Sequence, residues 1–183
     1  MITKHFILVF ALLLSLSCSA SSWPSKYDLQ IVKATKQYLP GVDWKLYKAQ
    51  LIQESSLNPN AVSPAGAKGL AQFMPLTWND ISSQLAVTGT PFDPHVAIPA
   101  GAYYVSKLRR AWSWDRPEVD RHNLALASYN AGLGNILKAQ RHCNNQSLYS
   151  EIISCLPYIT GHHSKETIGY VRSIRRYHFI LRN

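Results

Sequence analysis

The chain has 183 residues, 46% hydrophobic and 16% charged, with five Trp and ten Tyr, which suits one globular domain of about 100 to 200 residues with a sizeable core. Disordered, collagen-like, coiled-coil and low-complexity classes are excluded. Nineteen Lys and Arg against ten Asp and Glu give a formal charge of +9, which directs partners toward anionic polymers: nucleic acid, a membrane surface or a cell wall.

The first twenty residues have the layout of a secretory signal. Lys4 and His5 form a basic start, Phe6 to Leu14 are uninterruptedly apolar, and Ser15 to Ala20 are small or polar apart from Leu16. The run is shorter than the ~20 apolar residues of a membrane span unless Ser15 to Ala20 are counted in. Cleavage after Ala20 puts Cys18 and Ala20 at the small-residue positions. Cys18 leaves a lipoprotein site open as the alternative, although Ser15 stands where such sites carry a branched apolar residue. The expected division is a signal peptide over 1–20 and one exported domain over 21–183, with a membrane tether only if the signal is retained.

Without Cys18, Cys143 and Cys155 remain, and an even pair in an exported chain reads as a disulfide. No metal site is expected, because no Cys-x-x-Cys occurs and His162 and His163 are adjacent. Loss of Lys4 leaves 18 basic against 10 acidic residues, a mature charge of +8.

The fold expected is mainly α. Ser25 to Leu39 carries Tyr27, Ile31, Ala34 and Tyr38 at helical spacing and stops at Pro40-Gly41. Asp43 can cap the next helix, on which Tyr47, Leu51 and Glu54 share a face. Asn58-Pro59, Ser63-Pro64 and Gly66 make 56–68 an ordered, turn-rich loop. Short helices are expected near Thr77 and Pro94, and a longer one through Tyr103, Val105, Leu108 and Trp112, ending before a turn at Trp114 to Pro117. Leu124 to Ala131 is a helix rich in small residues that ends at Gly132. The last begins near Ser164, with Tyr170, Ile174, Tyr177 and Leu181 on one face.

Glu54 is the residue that stands out, because it continues an apolar stripe near a helix end. Desolvation there raises a carboxyl's pKa toward what a general acid needs near neutral pH. The periodicity equally allows a solvated glutamate in the last turn.

The run from Glu54 through Asn58-Pro59, Ser63-Pro64, Gly66, Lys68-Gly69-Leu70 and Gln72 to Met74-Pro75 resembles the soluble lytic transglycosylases, relatives of goose-type lysozymes. Ala127 to Gly132, then Glu166-Thr167 followed by Tyr170-Val171, are similar to two further family blocks, and Asp93-Pro94 through Gly101 and Tyr104 to a third. The resemblance spans about Tyr27 to Tyr177. It implies a lysozyme-like single domain of packed helices with a substrate groove, and a monomer acting on peptidoglycan without a cofactor. Ala71, where the family often has methionine, and Ala97, where asparagine is expected, depart from the pattern.

By the same resemblance Glu54 is the sole catalytic acid and base, and Ser63, Gln72, Met74, Tyr129 and Glu166 line the groove. Each has a plainer reading. Ser63 before Pro64 suits a turn, Met74 suits the core, and Glu166 in a first turn is favoured by the helix dipole. Gln72, in an apolar run, needs a partner such as a sugar or the catalytic carboxyl. The Tyr129 hydroxyl suits a hydrogen bond to Glu54 or to substrate.

The family's chemistry needs one carboxyl. It protonates the glycosidic oxygen, then takes the proton of the C6 hydroxyl of the same N-acetylmuramic acid, leaving a 1,6-anhydro end. Hydrolysis is the rival and asks for a second carboxylate to hold water; Asp80 and Asp93 are available for it. A non-catalytic wall-binding module is a third reading. Nucleic acid is not an expected partner, despite Arg172, Arg175, Arg176 and Arg182 on the last helix, because an exported, disulfide-bearing chain rarely meets it.

Overall fold

The structure, a computed structural model, describes residues 23–183; the expected leader, with Cys18, lies outside them. The described residues are mainly helical: α1 (Asp28–Tyr38), α2 (Trp44–Ser55), α3 (Pro75–Gln84), α4 (Pro94–Ala111), α5 (Glu118–Ala131), α6 (Leu133–His142), α7 (Tyr149–Ser154), α8 (Leu156–Thr160) and α9 (Ser164–Arg182). A 3-10 turn, Gly161–His163, precedes α9. None of these helices is long and apolar enough to cross a membrane.

The architecture is organised by α2. Asp43 caps it, its carboxylate accepting from Lys45 N–H at 3.0 Å. Ser56 ends it in the left-handed region. Every residue from Leu46 to Ile52 is buried, because the helix is wedged between two apolar clusters. Tyr47, Leu51 and Ile52 join Ile31, Leu70, Phe73 and Ile98 on one side. Leu46 and Ala49 join Leu124, Ile136, Tyr170 and Ile174 on the other. The single stripe expected from periodicity is therefore a helix covered all round, in which each large apolar side chain contributes about 1.5–3 kcal/mol of burial. Lys48 survives inside by pairing with Asp28 at 2.6 Å.

Helix α9 runs antiparallel along α2. Its Tyr170 meets Glu54 near the C-terminal end of α2, and its His178 Nε2 lies 2.8 Å from Asp43 Oδ2 at the other end.

Two expectations are corrected. The short helix at Pro94 and the longer one through Tyr103 are one helix, α4, with Pro99 inside it. The buried series Ala97, Ile98, Gly101, Ala102, Val105 and Leu108 runs unbroken across the proline, so packing holds a helix that a single missing N–H would weaken. The segment between Gly132 and Ser164 contains α6, α7 and α8, none of which was expected; α7 and α8 have six and five residues, too few to show a 3.6-residue period. The Cys143–Cys155 disulfide, Cα–Cα 5.9 Å, ties the end of α6 to the junction of α7 and α8.

Close approach of α4 to α2 depends on Gly101. A Cβ there would lie 2.4 Å from Tyr47 Oη and 3.2 Å from Ala71 Cβ. The Tyr47 hydroxyl instead donates to Ile98 O at 2.7 Å.

Candidate active site

Glu54 sits in the last turn of α2, half-buried. Loss of solvent pushes its carboxyl up to about 8, and a hydrogen bond from the Tyr170 hydroxyl to Oε1 moderates the rise. A helix C-terminus also disfavours negative charge. The solvated glutamate that periodicity allowed is not what the fold produces.

Three tyrosines surround this carboxyl: Tyr47 from α2, Tyr129 from α5 and Tyr170 from α9. Burial pushes all three hydroxyls up, and the Glu54 charge adds to the rise. They stay protonated across the physiological range, so Glu54 is the group at this spot that exchanges a proton near neutral pH.

The loop after α2 is fastened to the same place. Ser55 Oγ donates to Leu70 O at 2.9 Å. Two short bridges, Val62 with Lys68 and Lys68 with Phe73, fold the loop on itself. A Cβ on Gly69, which has φ +76°, would lie 1.8 Å from Pro91 O, so only glycine lets the two loops meet.

Tyr129 does not bond to Glu54. Its hydroxyl donates to Ala71 O at 2.6 Å, closing α5 against the loop, while its ring lies 5.0 Å from that of Tyr104. Gln72 does not reach the carboxyl either: its Nε2 donates to Gly69 O at 2.9 Å and Ala61 O at 3.3 Å, and its own φ of 46° marks a strained corner. Ser63 caps a turn, with Oγ accepting from Ala67 N–H at 3.0 Å. Met74 is not core; it is 44% exposed just before α3. Ala71 and Ala97 are both buried and carry no polar function.

Glu166 is exposed on the first turn of α9, one turn before Tyr170. Asn130 Nδ2 donates to it at 3.3 Å, and Asn130 Oδ1 accepts from Thr167 at 2.7 Å. These residues line a polar cavity of about 390 Å³ with Asn135, Thr160 and His163. The structure therefore brings Glu54, the loop and Tyr129 together and places Glu166 in a cavity that neither Glu54 nor the loop lines.

Tyr170 is not marked by the sequence as the partner of Glu54. The two are 116 residues apart, and nothing local distinguishes Tyr170 from Tyr129. The signals present were its place in the Tyr170-Val171 block that resembles the family and its position four residues after Glu166, on the same face of a helix.

No second carboxylate contributes to the acidity of Glu54. Asp93 caps α4, accepting from His95 N–H at 2.9 Å. Asp80 is exposed on α3 and accepts from Gln84 at 2.5 Å. Among the described residues no group of three His, Cys, Asp or Glu side chains forms a metal-binding cluster.

A helical, lysozyme-like fold with one desolvated carboxylic acid at the end of its central helix defines the class. The profile of the Transglycosylase SLT domain matches residues 31–152, and the chain belongs to that family. It is 32% identical over 161 residues to a membrane-bound lytic murein transglycosylase F of Shewanella pealeana, covering 80% of this chain and 33% of that protein. The corresponding Yersinia pseudotuberculosis protein is 32% identical over 145 residues, covering 76% and 29%. An inactive mutant of the lytic transglycosylase Slt from Pseudomonas aeruginosa superposes with a TM-score of 0.69 at 26% identity, over 86% of this chain and 24% of that one. The 70 kDa soluble lytic transglycosylase from Escherichia coli gives 0.66 and 26%, over 87% and 24%. The chain thus spans about a third of the length of these relatives and a quarter of the solved chains.

Proposed function

We propose that this protein is a peptidoglycan lytic transglycosylase that cleaves the β-1,4 bond between N-acetylmuramic acid and N-acetylglucosamine and leaves 1,6-anhydromuramic ends. The observation that carries the reading is Glu54: a single carboxyl, desolvated so that its pKa is about 8, beside tyrosines that hold their protons. Protonated at neutral pH, it donates to the glycosidic oxygen as the bond breaks. The resulting carboxylate then removes the proton of the C6 hydroxyl as that oxygen closes on the anomeric carbon. One proton leaves and one returns, and no water is consumed.

Ser63, Gln72, Met74, Tyr129 and Glu166 are proposed to shape the saccharide path. In this chain Ser63 and Gln72 act by holding the loop, and Tyr129 by fastening it to α5. Met74 and Glu166 are the two whose exposure favours direct contact.

Digestion of purified walls followed by mass spectrometry tests the reading, since an anhydro end is lighter by one water than a reducing end. Reducing ends would mean hydrolysis, which the engagement of Asp80 and Asp93 elsewhere disfavours. We further propose export with cleavage near Ala20 and action as a monomer on glycan strands, with the disulfide formed after export. Intact mass of the exported protein checks the cleavage and the oxidised pair; retention of residues 1–20 would indicate a tethered form instead.

A further inference from the structure

A cavity of about 600 Å³ that the proposed chemistry does not use opens where the end of α4, the start of α5 and the segment after α1 meet, and Arg109, Arg110 and Arg121 converge on it. Pro40, in its wall, shortly precedes the Asp43 cap of α2. The cavity therefore lies at the opposite end of that helix from Glu54, roughly 16 Å away along an axis that rises 1.5 Å per residue.

Three guanidiniums around one space repel one another, and helix-end chemistry accounts for only part of the gathering. Arg109 and Arg110 stand in the last turn of α4, where the dipole favours cations. Arg121, on α5, donates through Nη1 to Trp112 O at 2.8 Å, just beyond that helix end. A helix terminus carries only about half a charge, and a single cation answers it. Glu118 pairs with Arg109 at 2.5 Å and with Arg121 at 2.7 Å, but it lines the neighbouring cavity rather than this one. No described carboxylate lines the arginine cavity, and Arg110 has no ion pair among the described residues. Three positive charges against one negative leave two without a partner.

The guanidiniums are also held in place. Arg109 Nη1 lies 3.1 Å from His122 Nδ1. Arg110 Nη1 donates to Ser106 Oγ at 2.9 Å, and Ser106, which is buried, donates in turn to Tyr103 O at 2.8 Å. Arg110 Nη2 and Arg121 Nη2 donate to no described residue. Fixed forks with free N–H groups suit an oxyanion bound bidentately, because little freedom is lost on binding. The rest of the wall includes Tyr38, Leu39 and Pro40, which suit a small apolar group beside that oxyanion.

We propose that this cavity binds a carboxylate flanked by a small apolar side chain, and that its occupant is a peptide stem of the wall polymer. Such stems carry free carboxylates beside methyl groups, on the same polymer whose glycan Glu54 is proposed to cleave. The inference rests on the transglycosylase reading above and deepens it: the enzyme holds its substrate at a second point, remote from the reacting bond.

The test uses the Glu54→Gln protein, which binds walls without digesting them. Arg110→Glu reverses one unpaired charge at an exposed position, and Arg141→Glu makes the same change at an exposed residue of α6 outside the cavity. Arg110→Glu should weaken binding to purified walls about tenfold, the order of one charge-assisted contact, and Arg141→Glu by less than about twofold. On walls whose stem carboxylates have been amidated, Arg110→Glu and its parent should bind alike. N-acetyl-D-alanine should shift the backbone amide signals of Ser106 to Ser113 and Arg121, and its carboxamide should not, a measurement that needs no variant at the cavity. With Glu54 intact, Arg110→Glu should match wild type in kcat on peptide-free glycan strands. Equal losses for Arg110→Glu and Arg141→Glu, a loss that persists on amidated walls, or the absence of a shift overturns the inference. So does a loss confined to phosphatidylglycerol vesicles, which would make the ligand a lipid phosphate. Wild-type protein that yields no anhydro ends would instead overturn the transglycosylase reading, independently of these binding measurements.

Discussion

The two ends of the α2–α9 pair each hold one carboxylate, and the pair treats them in opposite ways. At the C-terminal end of α2, Glu54 loses solvent and gains only a neutral hydroxyl, so its carboxyl rises to about 8. At the N-terminal end, burial also pushes Asp43 up, but the hydrogen bond with His178 and the N–H of Lys45 outweigh it and leave the carboxyl below its ordinary value. The residue types differ by one methylene. What decides is the company: an imidazole and a helix N-terminus favour charge, whereas a tyrosine and a helix C-terminus leave the proton in place. One end favours a charged carboxylate; the other holds the carboxyl to which the proposed chemistry is assigned.

The sharpest break of this comparison is Glu54→Gln. The amide retains the shape and can accept from Tyr170, but cannot give up and reclaim a proton. General acid–base help is worth about 10²–10⁴-fold, and in the proposed mechanism one group performs both halves, so turnover on purified walls should fall by at least the upper figure. Binding to walls should persist. Substantial activity in a folded Glu54→Gln protein would move the search to Glu166 or Asp93. In the wild type, activity should hold through neutrality and fall as pH rises through about 8, where the acid loses its proton.

The same variant sharpens the comparison through stability. Because Glu54 is raised from 4.5 to about 8 on folding, the folded state binds this proton more tightly than the unfolded chain. Its contribution is fully present below about 4.5 and is lost as pH rises through the folded value. Melting temperatures of wild type and Glu54→Gln should therefore agree most closely near pH 5 and separate toward pH 8, with the glutamine variant higher. A constant difference across that range would mean that the carboxyl is not desolvated.

Next in size is Gly101→Ala. Its added methyl would clash with the Tyr47 hydroxyl and crowd Ala71, and Ala71 O is what holds Tyr129. Overpacking of this kind costs about 1–3 kcal/mol. Since α4 must shift away from the loop, activity should fall along with the melting temperature; a loss of stability with full activity would separate Gly101 from the site.

How far the sequence reaches differs between the same two regions. Asp43 as a cap, the breaker-rich loop and the stripe ending at Glu54 were all legible, because each is set within a few residues. Helix α4 reads locally as two pieces, a short start at Pro94 and an apolar face from Tyr103, whereas its buried face runs unbroken through Pro99. The partner of Glu54 was not legible: Tyr170 and Tyr129 are both tyrosines on small-residue or amphipathic helices, and only the crossing of α9 over α2 decides which hydroxyl arrives. Gln72 and Ser63 bond to the loop's own backbone for a related reason. A polar side chain in a tight loop finds a backbone carbonyl or N–H before it finds a ligand.

Asp43→Ala should have the smallest effect, and its value lies in what it leaves alone. The substitution removes an N-cap and the His178 contact, for a loss of about 1 kcal/mol. Because the Asp43 carboxyl is lowered on folding, its contribution is present above about 3.8 and is lost as pH falls through the still lower folded value. Thermal melts should therefore show wild type above Asp43→Ala at pH 7, the two converging at strongly acidic pH, which is the reverse of the trend expected for Glu54. Transglycosylase turnover should be unchanged, since seven consecutive buried residues, Leu46 to Ile52, hold the far end of α2 whether or not its first turn frays. A loss of activity larger than the loss of stability would mean that the two ends of the helix pair are coupled rather than independent.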